Sequence, residues 1–256
     1  MNILVANDDG INSTGIARLV SALHREGGAR VFVCAPEGQR SAASHSITMR
    51  KPVRVREVDF ADAEMAFATS GTPADCVKLG MMLMEKRGVR IDAVFSGINH
   101  GANLGTDIIY SGTVAAAFEG NICGVPAVAV SVDRHEATHF DYACTLAVEA
   151  LKKAVPHMDN NLMLNINTPD LPAEEIKGVL CVPVGIRDYG EDLTCLGEED
   201  GCQVYRYGGE PVIFDGEPTD SDALAVQENY ASITPLRRNF TCRETLDTLK
   251  QWRIGK

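Results

Sequence analysis

The chain has 256 residues, of which 45% are hydrophobic and 23% charged, with a formal net charge of −11. That length supports a sizeable core in one large domain or in a domain with an extension, and the composition excludes disordered and collagen-like classes. The apolar runs break well before the roughly 20 residues a bilayer span needs, and Asp8 and Asp9 interrupt any signal-type segment, so no membrane association and a cytoplasmic location are expected.

The charge is uneven. Asp188 to Glu228 holds twelve acids and one base, Arg206, which accounts for the whole net charge and leaves the rest of the chain neutral. Nucleic-acid polymers bind through basic patches, so such a polymer is disfavoured as main ligand. Eight cysteines show no CxxC pair, and several, such as Cys34, fall inside apolar runs. They are expected to be reduced and structural, and a zinc site is disfavoured.

The first apolar run, Ile3 to Ala6, ends at Asn7-Asp8-Asp9-Gly10. A continuous apolar run reads as a strand of a parallel sheet, buried on both faces. A helix over Ile16–Arg25 and a second strand over Arg30–Ala35 complete a βαβ unit. Gly38 to Ser46 is a polar loop, and Val53–Val58 alternates as a half-exposed strand that Met65–Thr69 can pair with. Thr72-Pro73-Ala74-Asp75 starts a helix reaching about Lys86. A strand over Ile91–Phe95 leads into the glycine-bearing loop Ser96–Gly105, and Ser111-Gly112-Thr113 opens a small-residue helix. A strand over Ala127–Val132, a helix over His139–Val155 and a strand over Leu162–Ile166 follow.

Beyond Pro169 the texture changes. Strands are expected at Val179–Val184, Gln203–Tyr207 and Pro211–Phe214, the last two as a hairpin about Gly208-Gly209. A short helix over Thr219–Val226, a strand over Ser232–Leu236 and a helix over Thr241–Trp252 close the chain. The expected fold is α/β: a three-layer, mostly parallel open sheet, Rossmann-like, with a C-terminal β-hairpin or arm. Residues 1–170 form the core and 171–256 an extension packed with it as one unit.

Three polar loops, Asn7–Gly10, Gly38–Ser46 and Ser96–Gly105, follow parallel strands and converge on one sheet edge, where open α/β sheets bind ligands. They offer Asp8, Asp9, Ser41, Asn99 and Asn103, all oxygen donors suited to Mg²⁺, Mn²⁺ or Ca²⁺. Asp8-Asp9 alone reads equally as a turn or as half a cation site. Ser111-Gly112-Thr113 reads as a plain cap or, facing a metal, as a phosphate cradle at a helix N-terminus. Together they describe metal-assisted attack of water on a phosphoester. His45 and His100 are candidate general acids or bases, or merely solvated loop histidines. Asp107 reads as a helix or turn acid, and Glu119 as a last-turn residue facing solvent or Asn121. No dinucleotide glycine fingerprint, P-loop or nucleophile elbow occurs.

Asn7-Asp8-Asp9-Gly10, Gly71-Thr72-Pro73-Ala74-Asp75, Ser96-Gly97-Ile98-Asn99, Asn103-Leu104-Gly105, Tyr110-Ser111-Gly112-Thr113 and Ser232-Ile233-Thr234-Pro235-Leu236, in this order, closely resemble the SurE survival-protein nucleotidases. The resemblance implies a phosphatase acting on nucleoside 5′- and 3′-monophosphates with one Mg²⁺ or Mn²⁺ per subunit. It implies Asp8, Asp9, Ser41 and Asn99 as metal ligands, with Asp8, Asp9 and Asn99 catalytic. Asn99, Asn103, Ser111, Gly112 and Thr113 would bind phosphate. A homodimer or homotetramer exchanging the arm near residues 180–236 is implied as well. Asn229-Tyr230 departs from the family's frequent Gly-Tyr. The alternative is a non-catalytic nucleotide- or metal-binding module of the same fold.

Overall fold

A computed structural model describes residues 1–189, 192–209, 212–213 and 220–252. Every residue from Ile3 to Ala6 is apolar, so a strand made from them needs cover on both faces. They form most of β1 (Asn2–Ala6), buried from Ile3 onward. The later apolar runs behave alike as β2 (Arg30–Pro36), β4 (Met65–Thr69), β5 (Ala93–His100), β6 (Ala127–Asp133) and β7 (Leu162–Pro169), while β3 (Val55–Val58), with Arg56 and Glu57, is largely exposed. Between them run α1 (Thr14–Arg25), α2 (Pro73–Lys86), α3 (Gly112–Ile122) and α4 (Asp141–Glu149). The helix expected to reach Val155 widens instead into a π-type turn at Ala150–Ala154, just ahead of Pro156, which has no N–H to continue an α-helix.

The segment past Pro169 contributes β8 (Val179–Cys181), β9 (Arg187–Asp188), β10 (Asp192–Glu199), β11 (Cys202–Gly208), β12 (Val212–Ile213), α5 (Asp222–Gln227), β13 (Ala231–Arg237) and α6 (Arg243–Gln251). The main sheet has nine strands in the order β3-β4-β2-β1-β5-β6-β7-β13-β8. From β4 to β7 all pairings are parallel, while β3–β4 and β7–β13 are antiparallel. The mostly parallel α/β expectation therefore holds, with antiparallel pairings towards both edges.

Helices cover both faces. Ile16, Leu19 and Leu23 of α1 and Ala143 and Ala147 of α4 pack on one side with Val5, Val33 and Ile166. Cys76, Val77 and Met84 of α2 and Val114 and Ala117 of α3 pack on the other with Leu4, Phe32 and Met163. Local chemistry starts α2 where expected. The Thr72 hydroxyl accepts from the Asp75 amide at 3.1 Å, and the Asp75 carboxylate accepts from the Thr72 amide at 3.0 Å, a reciprocal capping box.

The hairpin differs from expectation. β11 pairs antiparallel with β10 across Asp200-Gly201, both at positive φ (50° and 77°) as a two-residue hairpin turn demands. Gly208 ends β11, and Val212–Ile213 pairs with Arg187–Asp188. β10 went unrecognised because its run carries charges and a bulge between Cys195 and Gly197, which break the alternation of a strand. Pro211, Phe214 and Thr219, parts of expected elements, lie outside the described residues. Among the described residues no helix is long and apolar enough to cross a membrane.

Candidate active site at the carboxyl edge of the sheet

Strand order reverses about β1, whose neighbours are β2 and β5. Loops leaving the C-terminal ends of these three strands must therefore diverge around a crevice. Backbone bonds tie the loops to one another. The Arg40 amide donates to the Asp8 carbonyl at 2.7 Å, and the Ile11 amide to the Pro36 carbonyl at 2.8 Å. Gly10 makes the turn at φ +98°, and a Cβ there would lie 3.1 Å from the Gly38 backbone, so the first two loops touch through two glycines. Asn7 is fully buried beneath them, and its amide donates to the Gly10 carbonyl and the Ser13 hydroxyl, both at 2.9 Å.

The resulting cavity has a volume of about 760 Å³ and is lined by Asp8, Asp9, Ser41, Asn99, Asn103 and Ser111 among others. Asp8 is 5% exposed. Its Oδ1 accepts the Thr113 hydroxyl at 2.6 Å. Burial pushes the Asp8 carboxyl up to about 6 from an ordinary value of 3.8, with the Asp9 charge adding to the rise and the Thr113 hydrogen bond opposing it. Asp9 accepts the His100 amide at 3.1 Å, and burial raises its carboxyl too. Neither aspartate has a Lys or Arg ion pair among the described residues. Two adjacent carboxylates repel each other, and only the imidazoles of His100 and His135 act on Asp9, so a cation is the natural occupant of the space between them.

Asn99 donates its side-chain N–H to the Gly101 carbonyl at 2.7 Å, which commits the amide nitrogen and leaves Oδ1 as acceptor. Ser41 is exposed, its hydroxyl accepting from Gln39 at 2.9 Å. Asn103 is buried in a polar lattice: its amide nitrogen donates to the Ser131 hydroxyl at 2.8 Å, its backbone N–H to Asn167 at 2.7 Å, and its carbonyl accepts from Asn165 at 2.8 Å. Ser111 caps α3, accepting the Val114 amide at 3.0 Å. Gly112 and Thr113 lie behind Asp8 and do not line the cavity, and the Thr113 hydroxyl is taken up by Asp8.

Not every candidate histidine lines the cavity. His45 turns to Glu119, with Nε2 2.9 Å from Oε2, and does not line the cavity. Glu119 is itself 3% exposed, with Lys78 3.7 Å from its other oxygen, so the expectation that it faces solvent is corrected. His100 does line the cavity, its ring edge-on to Phe140 with centroids 5.3 Å apart. The sequence reading missed His135 and Tyr189, which also line it. His135 follows the end of β6, a fourth parallel strand, so its position was discoverable; Tyr189 arrives from the acidic segment, with no local signal.

The family model for Survival protein SurE matches residues 3–191. Two relatives, each named 5′-nucleotidase SurE, come from Synechococcus sp. (strain JA-3-3Ab) and Geobacter sulfurreducens. The first is 39% identical over 260 residues, covering 100% of this chain and 98% of the relative. The second is 42% identical over 263 residues, covering 100% and 95%. A crystal structure of the SurE protein from Aquifex aeolicus superposes with a TM-score of 0.84 at 36% identity, covering 98% of this chain and 99% of that one. Matched by the family model and by full-length relatives, with its polar loops gathered about Asp8 and Asp9, the chain belongs to the SurE survival-protein family.

Proposed function

We propose that the protein is a divalent-metal-dependent phosphomonoesterase that hydrolyses nucleoside 5′- and 3′-monophosphates to nucleoside and phosphate. The observation that carries this reading is the pair of adjacent carboxylates, Asp8 and Asp9, with no Lys or Arg paired to either among the described residues, in one cavity with the start of α3. The donors fit a hard cation: two carboxylates, the Ser41 hydroxyl and the Asn99 carbonyl oxygen. An all-oxygen donor set of this kind favours Mg²⁺ or Mn²⁺ over a softer ion. Asp8, Asp9, Ser41 and Asn99 would hold one Mg²⁺ or Mn²⁺ per subunit. When bound, the ion supplies charge to the phosphoryl oxygens and acidifies water.

The chain's own residues do the positioning. The Thr113 hydroxyl and the His100 amide keep one oxygen of each aspartate in place, and the Gly101 carbonyl turns Asn99 Oδ1 outward. Ser111, the cap of α3 and the part of that helix start that lines the cavity, brings the positive end of α3 to the phosphate, with Gly112 and Thr113 packed behind Asp8 in support. Asn103 is held rigidly enough to fix the far wall. His100 and His135 are the cavity's proton carriers for the leaving group. Residues 1–170 supply these groups, and the segment from 171 adds Tyr189 to the wall. The exposed β10–β11 hairpin, with Leu193 and Tyr207 on its surface, is proposed to be the arm of a homodimer or homotetramer.

Phosphate release from a panel of nucleoside monophosphates, with Mg²⁺ or Mn²⁺, with EDTA and with Asp9→Asn, tests the reading. Release should need the metal and fall steeply in the variant. Turnover indifferent to both EDTA and Asp9→Asn would remove the metal mechanism; no release under any condition would leave a binding module.

A further inference from the structure

Two tyrosines line the cavity without a part in the chemistry above, Tyr110 and Tyr189. Tyr110 immediately precedes Ser111, the cap of α3. Its backbone is held from both sides: the N–H donates to the Asp107 carbonyl and the carbonyl accepts from the Ser44 amide, each at 3.0 Å. The Ser44 hydroxyl also donates to the Ile109 carbonyl, at 2.8 Å. Tyr110 is nevertheless 64% exposed. A fixed backbone thus carries an open aromatic face one residue from the start of α3.

Tyr189 reaches the same place from the other end of the chain. Its hydroxyl donates to Asp107 Oδ2. Arg187 lies 3.3 Å from that same carboxylate oxygen, and its guanidinium sits 5.9 Å from the centre of the Tyr189 ring. One residue therefore carries both aromatics, Tyr110 through the Asp107 carbonyl and Tyr189 through the Asp107 carboxylate. Burial and the Asp107 hydrogen bond push the Tyr189 phenol up to about 12, which keeps it a neutral donor at physiological pH. Scattered exposed aromatics need no explanation. Two tyrosines held by one aspartate, one through its backbone and one through its side chain, in the wall of one cavity, are a different matter. Rigid aromatic faces provide contact area at low entropic cost, and stacking accepts any base because every base has a π-face.

We propose that Tyr110 and Tyr189 form a base-stacking platform at the mouth of the cavity, an inference that rests on the nucleotidase reading. The nucleobase is held by its face while the phosphate lies at the α3 start, one ribose away. Recognition by faces rather than edges gives broad acceptance of bases, with purines favoured by their larger surface.

Steady-state kinetics on AMP, UMP and ribose 5-phosphate test this, the last substrate carrying phosphate and sugar but no base. The proteins are the wild type, Tyr110→Ala, Tyr189→Ala and Tyr189→Phe, all with Mg²⁺ or Mn²⁺. Each alanine variant should lower kcat/KM for AMP about tenfold, mostly through KM, with a smaller effect on UMP. Activity on ribose 5-phosphate should stay within about twofold, which also shows that the variant is folded. Tyr189→Phe keeps the ring and should retain most of the AMP efficiency. Equal losses on AMP and ribose 5-phosphate would reduce the tyrosines to structural residues, and no loss on either would remove the platform. A wild type that treats AMP and ribose 5-phosphate alike overturns the platform while sparing the phosphatase; one that releases phosphate from none overturns both.

Discussion

Gly112→Ala sets two opposing effects against each other at the centre of the site. Alanine is the better helix former, by at most about 1 kcal/mol. Against this, a Cβ at Gly112 would lie 2.9 Å from both Asp8 Cβ and Asp8 Oδ2, and 3.0 Å from Pro73 Cγ. Contacts that short must be relieved, and overpacking of this kind costs about 1–3 kcal/mol. Asp8 cannot swing into solvent without giving up its 2.6 Å bond from Thr113, and Pro73 is the first residue of α2. The steric term wins, for a net loss of about 1–2 kcal/mol and a displaced carboxylate. Misplacement by a fraction of an ångström in a preorganised site lowers kcat by roughly tenfold to a hundredfold.

The control is Gly120→Ala on the same helix, whose Cβ would lie 2.7 Å from Val94 Cβ in the core. Gly120→Ala should lower Tm to a similar degree and leave kcat unchanged. Thermal unfolding and saturating phosphate-release assays on both variants decide the matter. A Gly112→Ala protein with raised Tm and wild-type kcat would refute the reasoning, as would equal loss of kcat in the two.

Two further predictions concern stability. With EDTA present, Asp8 should oppose folding at neutral pH. Its folded value of about 6 exceeds the ordinary 3.8, so the folded state binds the proton more tightly; this contribution is fully present below pH 3.8 and is lost as pH rises through 6. The stability of Asp8→Asn relative to wild type should accordingly improve by up to roughly 3 kcal/mol between pH 4 and pH 7 in urea unfolding, and a difference flat with pH would contradict this. Asp222 is fully buried and accepts the amides of Gly105 at 3.1 Å and Gly185 at 2.8 Å, pinning the glycine loop to the C-terminal segment. Asp222→Ala should cost about 3 kcal/mol in the same measurement, because it leaves buried N–H groups unsatisfied, and an unchanged midpoint would show that the loop does not depend on it.

What one sequence determined here was whatever rests on local chemistry and on period. Apolar runs of strand length between amphipathic segments dictate a parallel sheet covered on both faces, and Thr72, Pro73 and Asp75 announce α2 by capping alone. Loop position was legible too, because in such a sheet polar loops after successive strands can only meet at one edge; Asp8, Asp9, Ser41 and Asn99 do line one cavity. Tertiary structure decided the rest, and the reason is long-range burial. No local pattern shows that Thr113 spends its hydroxyl on a carboxylate 105 residues earlier, that Glu119 is buried against His45, or that Asp107 tethers Tyr189 from 82 residues away. The hairpin expected about Gly208-Gly209 was displaced for a related reason: β10 is too charged and too interrupted to read as a strand until its partner β11 lies beside it.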